Sequence, residues 1–159
     1  MDNPNERFVR ETEVITTQLV LPNDTNQLGN LLGGTLMHWI DIAAAIAAQR
    51  ATGRVCVTAS VDELNFHQPV RLGDVVTLCA SVNRVFTTSM EVGVLVTAQT
   101  MDGKPARRAN NAYLTFVAID GEGRPVRISQ VIPETEEERR RYEDALRRRE
   151  LRLQHRRTK

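Results

Sequence analysis

The chain has 159 residues, 41% of them hydrophobic and 26% charged, with a formal net charge of +1. That length suits one domain, and the composition excludes a disordered chain. The near-balanced charge offers no field for nucleic acid or membrane, and an aromatic content of 4% argues against a base-stacking RNA module.

Residues 1–12 are polar and charged, read as a loose arm, and lack the apolar stretch of a signal peptide. Thr12 to Leu21 (TEVITTQLVL) is rich in β-branched residues and stops at Pro22, which predicts a first strand. PNDTNQLGNLLGG is dense in Asn, Asp and Gly and predicts a loop. From Thr35 to about Ala51 the text TLMHWIDIAAAIAAQRA predicts a helix apolar on nearly every face, hence buried all round, with Gly53 closing it. Its apolar run contains Asp41 and is too short to span a bilayer. Strands follow at Val55–Asp62, about Val75–Phe86, Ser89–Thr100 and Arg107–Ile119, with turns at Thr87–Thr88 and at DGKP, 102–105. In the tail, Thr135-x-x-Glu138 is a capping box, with acids crowding the first turn and arginines after it. Tyr142, Ala145, Leu146 and Leu153 give this last helix only a narrow apolar stripe. The expected organisation is an arm over 1–12, one domain over 13–132 and a charged helix over 133–159. The fold class is α+β, an antiparallel sheet wrapped around one long apolar helix. Cys56 and Cys79 have no CxxC spacing, so the expectation is a reduced, cytoplasmic protein.

Asp41 carries the most information. A carboxylate flanked by Trp39, Ile40, Ile42 and Ala43 is costly to bury unless it is paired, and a partly desolvated one suits a general base. A structural Asp bonded to a nearby group is the equal alternative. Gly33 and Gly34 precede the helix. They would let a ligand approach the backbone where free N–H groups and the positive dipole end meet it, though a tight loop junction also explains them. Asn23, Asn26 and Asn30 lie in the same loop, and spacing does not choose among them. His38, His67 and His155 lack metal-ligand spacing, so no metal site is expected. There is no GxSxG, GxGxxG or P-loop, which argues against a serine hydrolase and against nucleotide cofactors.

The stretches PNDTNQLGNLLGGTLMHWIDIAAAIAA, VTASVDELNFHQPVRLGDVV, TTSMEVGVLV and RRANNAYLTFVAID, with the tail VIPETEEERRRYEDA, resemble the cytosolic acyl-CoA hydrolases. That family includes the brain type and bacterial YciA-like enzymes. The resemblance runs from about residue 12 to about 145 and implies the hotdog fold and hydrolysis of acyl-CoA to a free acid and coenzyme A. It implies that Asp41 is catalytic, as base or nucleophile, that Asn26 assists it, and that Gly33 and Gly34 approach the thioester. Arg84, Thr87, Thr88, Ser89 and Ser60 would line the coenzyme A channel. No cofactor is implied beyond coenzyme A as part of the substrate. Self-association is implied as a dimer with active sites shared across the interface, and as a trimer of dimers. Some relatives carry His directly before the double glycine, where this chain has Leu32. The rival readings are a non-catalytic acyl-CoA-binding hotdog protein, a hotdog hydratase or dehydratase using His38, and an RNA-binding protein using the basic tail. The dozen residues ahead of the first strand leave no room for the DNA-binding helices of a hotdog regulator.

Overall fold

The computed structural model describes residues 6–159. Its main sheet is built from β2 (Val14–Leu19), β3 (Cys56–Asp62), β4 (Val75–Val85), β5 (Ser89–Gln99) and β6 (Arg107–Ala118). They run in the order β2-β4-β5-β6-β3, and every pairing is antiparallel. β2 and β3 are consecutive in the chain yet occupy opposite edges of the sheet. The connection between them carries α2 (Gly33–Thr52) across one whole face, and α2 packs on all five strands.

The strands alternate as their sequence dictates. Val76, Leu78, Ala80 and Val82 on β4, Met90, Val92, Val94 and Val96 on β5, and Ala112, Leu114 and Phe116 on β6 are buried towards α2. The helix meets them with Leu36, Ile40, Ala43, Ala44, Ala47, Ala48 and Ala51. Alanines at these positions keep the axis close to the sheet. Gly53 ends α2 in the left-handed conformation, φ 64°, as expected from the sequence.

Two expectations need correction. α2 is not enclosed on all sides: five strands curl around only part of it, and Ile42 remains 45% exposed. Nor is the arm loose over its described part. β1 (Arg7–Phe8) pairs in parallel with β7 (Val131–Ile132), and α1 (Val9–Thr12) follows it. Val9 and Thr12 are buried, and Thr12 Oγ1 accepts from the backbone N–H of Val82 at 2.9 Å. That bond serves a strand position beside the bulge at Val82/Arg84. Residues 1–5 lie outside the described residues.

α3 (Glu136–Arg157) lies across the outer face of the sheet. Its capping box forms as expected: Thr135 Oγ1 accepts from Glu138 N at 3.1 Å, and Glu138 Oε2 accepts from Thr135 N at 3.2 Å. Of the apolar stripe only Ala145 is fully buried. Arginines supply the rest of the anchorage. Arg148 clasps Glu91 through two hydrogen bonds of 2.7 and 3.0 Å, and Arg152 bonds Asp62 at 2.7 Å. The Arg148 guanidinium also sits 3.6 Å from the centre of the Tyr113 ring. Glu91 Oε1 further accepts from Asn83 Nδ2 at 3.0 Å. This arrangement requires Gly93, because a Cβ there would meet Asn83 Nδ2 at 2.8 Å.

Candidate active site

The loop before α2 is organised by Asn26. Its Oδ1 accepts from the backbone N–H of Leu28 at 2.9 Å and of Asn30 at 3.1 Å. An Asx-type turn of this kind consumes the carbonyl and leaves Nδ2 as the outward donor. The helix begins at Gly33, two residues earlier than expected, so the glycine pair forms its first turn. Leu32 at the N-cap offers no side-chain acceptor, and the leading N–H groups stay open. A Cβ on Gly33 would press on the Phe66 ring at 3.2 Å, whereas nothing lies within 4 Å of the same point on Gly34. One glycine permits packing and the other keeps the approach clear. Asn26, Asn30, Gly33, Leu36, Phe66 and Asn110 line a cleft of about 360 Å³ at this helix end.

Asp41 is not in that cleft. Eight residues of helix separate it from Gly33, about 12 Å along the axis. It is partly exposed on the face of α2 that the sheet leaves open, beside Ile42. The Thr58 hydroxyl donates to Asp41 Oδ1 at 2.7 Å. Thr58 stands opposite Phe116 on edge strand β3, just before a bulge at Thr58/Ser60. The bulge sets Ser60 opposite Thr115, on the outer side of the sheet, so Ser60 lies away from Asp41. The resemblance pointed to Ser60, and Thr58 escaped notice. Period-two counting cannot see a bulge: it sets Thr58 with Cys56 and Ser60 on the face away from Val57 and Val61, whereas the bulge puts Thr58 and Val61 on the same inward side. His38 is exposed and makes no hydrogen bond to Asp41 among the described residues.

The β4–β5 hairpin forms a second, basic cleft of about 440 Å³, lined by Arg84, Thr87, Arg127, Gln130 and Arg149. Arg149 lies 4.2 Å from the centre of the Phe86 ring and donates to Ser89 Oγ at 3.3 Å. Burial, with Arg152 nearby, lowers the pKa of the Arg149 guanidinium from its ordinary value. Arg84 stacks on Tyr142 at 4.0 Å and donates to the Tyr142 carbonyl at 3.3 Å. Thr88 contributes its carbonyl, which accepts from Ala118 N at 3.1 Å. Of the predicted channel residues, Arg84, Thr87 and Ser89 thus gather here. Arg127 and Arg149 join them from segments distant in sequence, which spacing could not connect. Among the described residues no cluster of three or more His, Cys, Asp or Glu could hold a metal ion. No helix among them is long and apolar enough to cross a membrane.

Residues 28–103, which include Gly33, Gly34, Asp41 and Thr58, match the family model described as the thioesterase superfamily. An uncharacterized acyl-CoA thioester hydrolase of Bacillus subtilis, YkhA, is 44% identical over 138 residues, covering 87% of this chain and 80% of that protein. The chain belongs to the thioesterase superfamily. Among solved structures, this superfamily member is similar to an acyl-CoA hydrolase of Staphylococcus aureus in complex with butyryl coenzyme A, coenzyme A and coenzyme A disulfide. The TM-score is 0.90 at 37% identity, over 95% of this chain and 92% of that one. A hexameric hotdog fold thioesterase of Campylobacter jejuni matches with a TM-score of 0.67 at 34% identity, over 79% of this chain and 92% of that one. The expected hotdog architecture is therefore borne out. Longer relatives exist: mouse acyl-coenzyme A thioesterase 11 is 43% identical over 148 residues, 93% of this chain but 25% of its own length. Alanine variants of the S. aureus enzyme at one asparagine, one aspartate and one threonine have also been solved. Those three positions stand 15 and 17 residues apart, the separations of Asn26, Asp41 and Thr58 in this thioesterase-superfamily chain.

Proposed function

We propose that this acyl-CoA thioester hydrolase cleaves its substrate with Asp41 as general base, held by Thr58, in a site completed by the α2 N-terminus and Asn26 of a second chain. The observation that carries the reading is the 2.7 Å bond from Thr58 to Asp41 Oδ1. It orients the carboxylate and leaves Oδ2 to take a proton from water. The water oxygen bonds to the thioester carbon. The carbonyl electron pair moves to oxygen, where Asn26 Nδ2 and the open N–H groups at Gly33 and Gly34 receive the charge. Collapse breaks the C–S bond, and the thiolate of coenzyme A recovers the proton from Asp41. Water is the only co-reactant.

Two features support a shared site. Asn26 and Asp41 are separated along α2 within one chain, whereas Asp41 lies beside the free edge of β3. That edge carries Val57 and Val61, 44% and 38% exposed, next to exposed Ile42. An unpaired edge with apolar side chains calls for a partner strand. We read it as the two-fold contact of a dimer, with three dimers forming the larger assembly. The basic cleft of Arg84, Arg127 and Arg149 would take the phosphates of coenzyme A. Two free cysteines, and relatives named cytosolic acyl coenzyme A thioester hydrolases, accord with a cytoplasmic setting.

The test is thiol release with Ellman's reagent from acyl-CoAs of graded length. Steady turnover is expected from the wild type, and none at any chain length would overturn the reading. Thr58→Ala should lower kcat roughly 10- to 100-fold, the range for losing a hydrogen bond to a charged group. Arg149→Ala should raise KM for acyl-CoA by ~10-fold and leave kcat nearly intact. Titration against coenzyme A alone should show the same weakening.

A further inference from the structure

The cleft at the α2 N-terminus contains a polar feature that hydrolysis itself does not use. Asn110 is 1% exposed, and both its Oδ1 and its Nδ2 are buried without a hydrogen-bond partner among the described residues. Because both atoms are unpaired, exchanging the amide's oxygen and nitrogen would change nothing. Asn30 Oδ1 lines the same cleft and is likewise buried and unpaired. An orphaned amide is costly inside a protein, and asparagine is disfavoured within strands. Asn110 nonetheless sits in β6 between buried Ala109 and a strand face that continues with Ala112 and Leu114.

The surroundings indicate which part of a substrate reaches it. Leu36, Val70 and Ala109 are 2%, 6% and 2% exposed, so the Asn110 end of the cleft is closed and largely apolar. Gly33 and Asn26 form the rim. With the thioester carbonyl at the rim, the coenzyme must lead out to solvent, and only the acyl group can run inward. Among the described residues, the buried unpaired groups of the cleft are one donor, Asn110 Nδ2, and two acceptors, Asn110 Oδ1 and Asn30 Oδ1. A plain alkyl chain satisfies none of them. An oxo group could accept from Nδ2 but would leave both acceptors bare. A hydroxyl accepts from Nδ2 and donates to one of the acceptors.

Resting on the acyl-CoA hydrolase reading above, we propose that this cleft is the acyl pocket and that Asn110, with Asn30, selects acyl groups bearing a hydroxyl. Asn110 is then a specificity-determining residue, and the class of reaction supplying the substrate is one that leaves a hydroxyl on a short acyl chain. A site built to hydrogen-bond a hydroxyl discriminates strongly against analogues that lack it.

The experiment compares kcat/KM for butyryl-, 3-oxobutyryl- and 3-hydroxybutyryl-CoA with the full-length protein, by thiol release. The wild type is expected to favour the hydroxyacyl ester over butyryl-CoA by ~10-fold or more. Asn110→Leu, which keeps the branching at Cγ and replaces the amide O and N with methyl groups, should abolish that preference, and the loss should fall on the hydroxyacyl ester. The same substitution removes an unsatisfied amide, so the melting temperature should rise, by about 2–4 °C or more. Asn110→Ala removes the amide without adding bulk and must lose the preference as well, which keeps the test decisive should the leucine variant fold poorly. Equal kcat/KM for all three esters in the wild type would overturn the inference and leave the hydrolase reading standing. So would an equal loss on all three in both variants. No turnover of any thioester would remove the hydrolase reading itself.

Discussion

Asp41→Asn is expected to lower kcat by about 100- to 10,000-fold, the usual contribution of a positioned general base. The substitution keeps the size of the side chain and an oxygen able to accept from Thr58, so the fold and the melting temperature should be preserved. Asn26→Ala should cost a comparable 100- to 1,000-fold, on the order of losing one donor to a developing oxyanion. The informative experiment mixes the two. If each site takes Asp41 from one chain and Asn26 from another, co-refolding equal amounts of the two inactive variants creates intact sites by chance. About a quarter of wild-type activity should return, since half of the chains at each position carry the residue that site needs. Activity that stays at the level of the separate variants would mean that each chain holds a complete site, and the interchain arrangement would fall.

The second large effect concerns stability. Glu91 is 1% exposed beneath α3 and accepts from Arg148 at 2.7 and 3.0 Å. Arg148→Leu leaves that carboxylate buried with only Asn83 as partner. It should cost about 3–5 kcal/mol, the penalty of uncovering one half of a buried pair. A fall in melting temperature of roughly 6–20 °C follows for a domain of this size. Glu91→Leu combined with Arg148→Leu removes both charges and should recover most of the loss, because the desolvation penalty leaves with them. The melts must share one protein concentration, since association contributes to apparent stability. If the double variant is no more stable than Arg148→Leu alone, the pair acts through its stacking on Tyr113 or its bond to Asn83, and not through charge.

Local signals made most of the architecture legible in the sequence. Val76-x-Leu78-x-Ala80 and its counterparts on β5 and β6 declare which face of each strand is buried, and Thr135 with Glu138 declares where α3 begins. Asp41 stood out because a carboxylate in an alanine-rich helix requires a reason. The missed features arise from tertiary geometry. Thr58 reaches Asp41 only because β3 runs along the far edge beside α2, and the next residue is extruded in a bulge. Arg149 meets Arg84 because α3 folds back over the hairpin, and Arg127 arrives on the segment after β6, whose Ile128 N–H donates to the Thr87 carbonyl at 3.1 Å. Asn110 did leave a trace, as two adjacent asparagines in the middle of a strand. Its significance depends on an orphaned amide, which only packing reveals. The open face of α2 was hidden for the opposite reason: Ile42 reads as core in sequence whether the surface covering it belongs to its own chain or to another.

The route of α2 from one edge of the sheet to the other has a consequence for how the protein behaves on dilution. Asp41 and Thr58 lie at a free strand edge, and the donors at the helix start lie elsewhere on the same chain, so under the shared-site proposal an isolated chain would lack a working site even when folded. Specific activity would then depend on protein concentration and fall as the assembly dissociates. Any condition that loosens strand-edge contact would silence the protein without unfolding it.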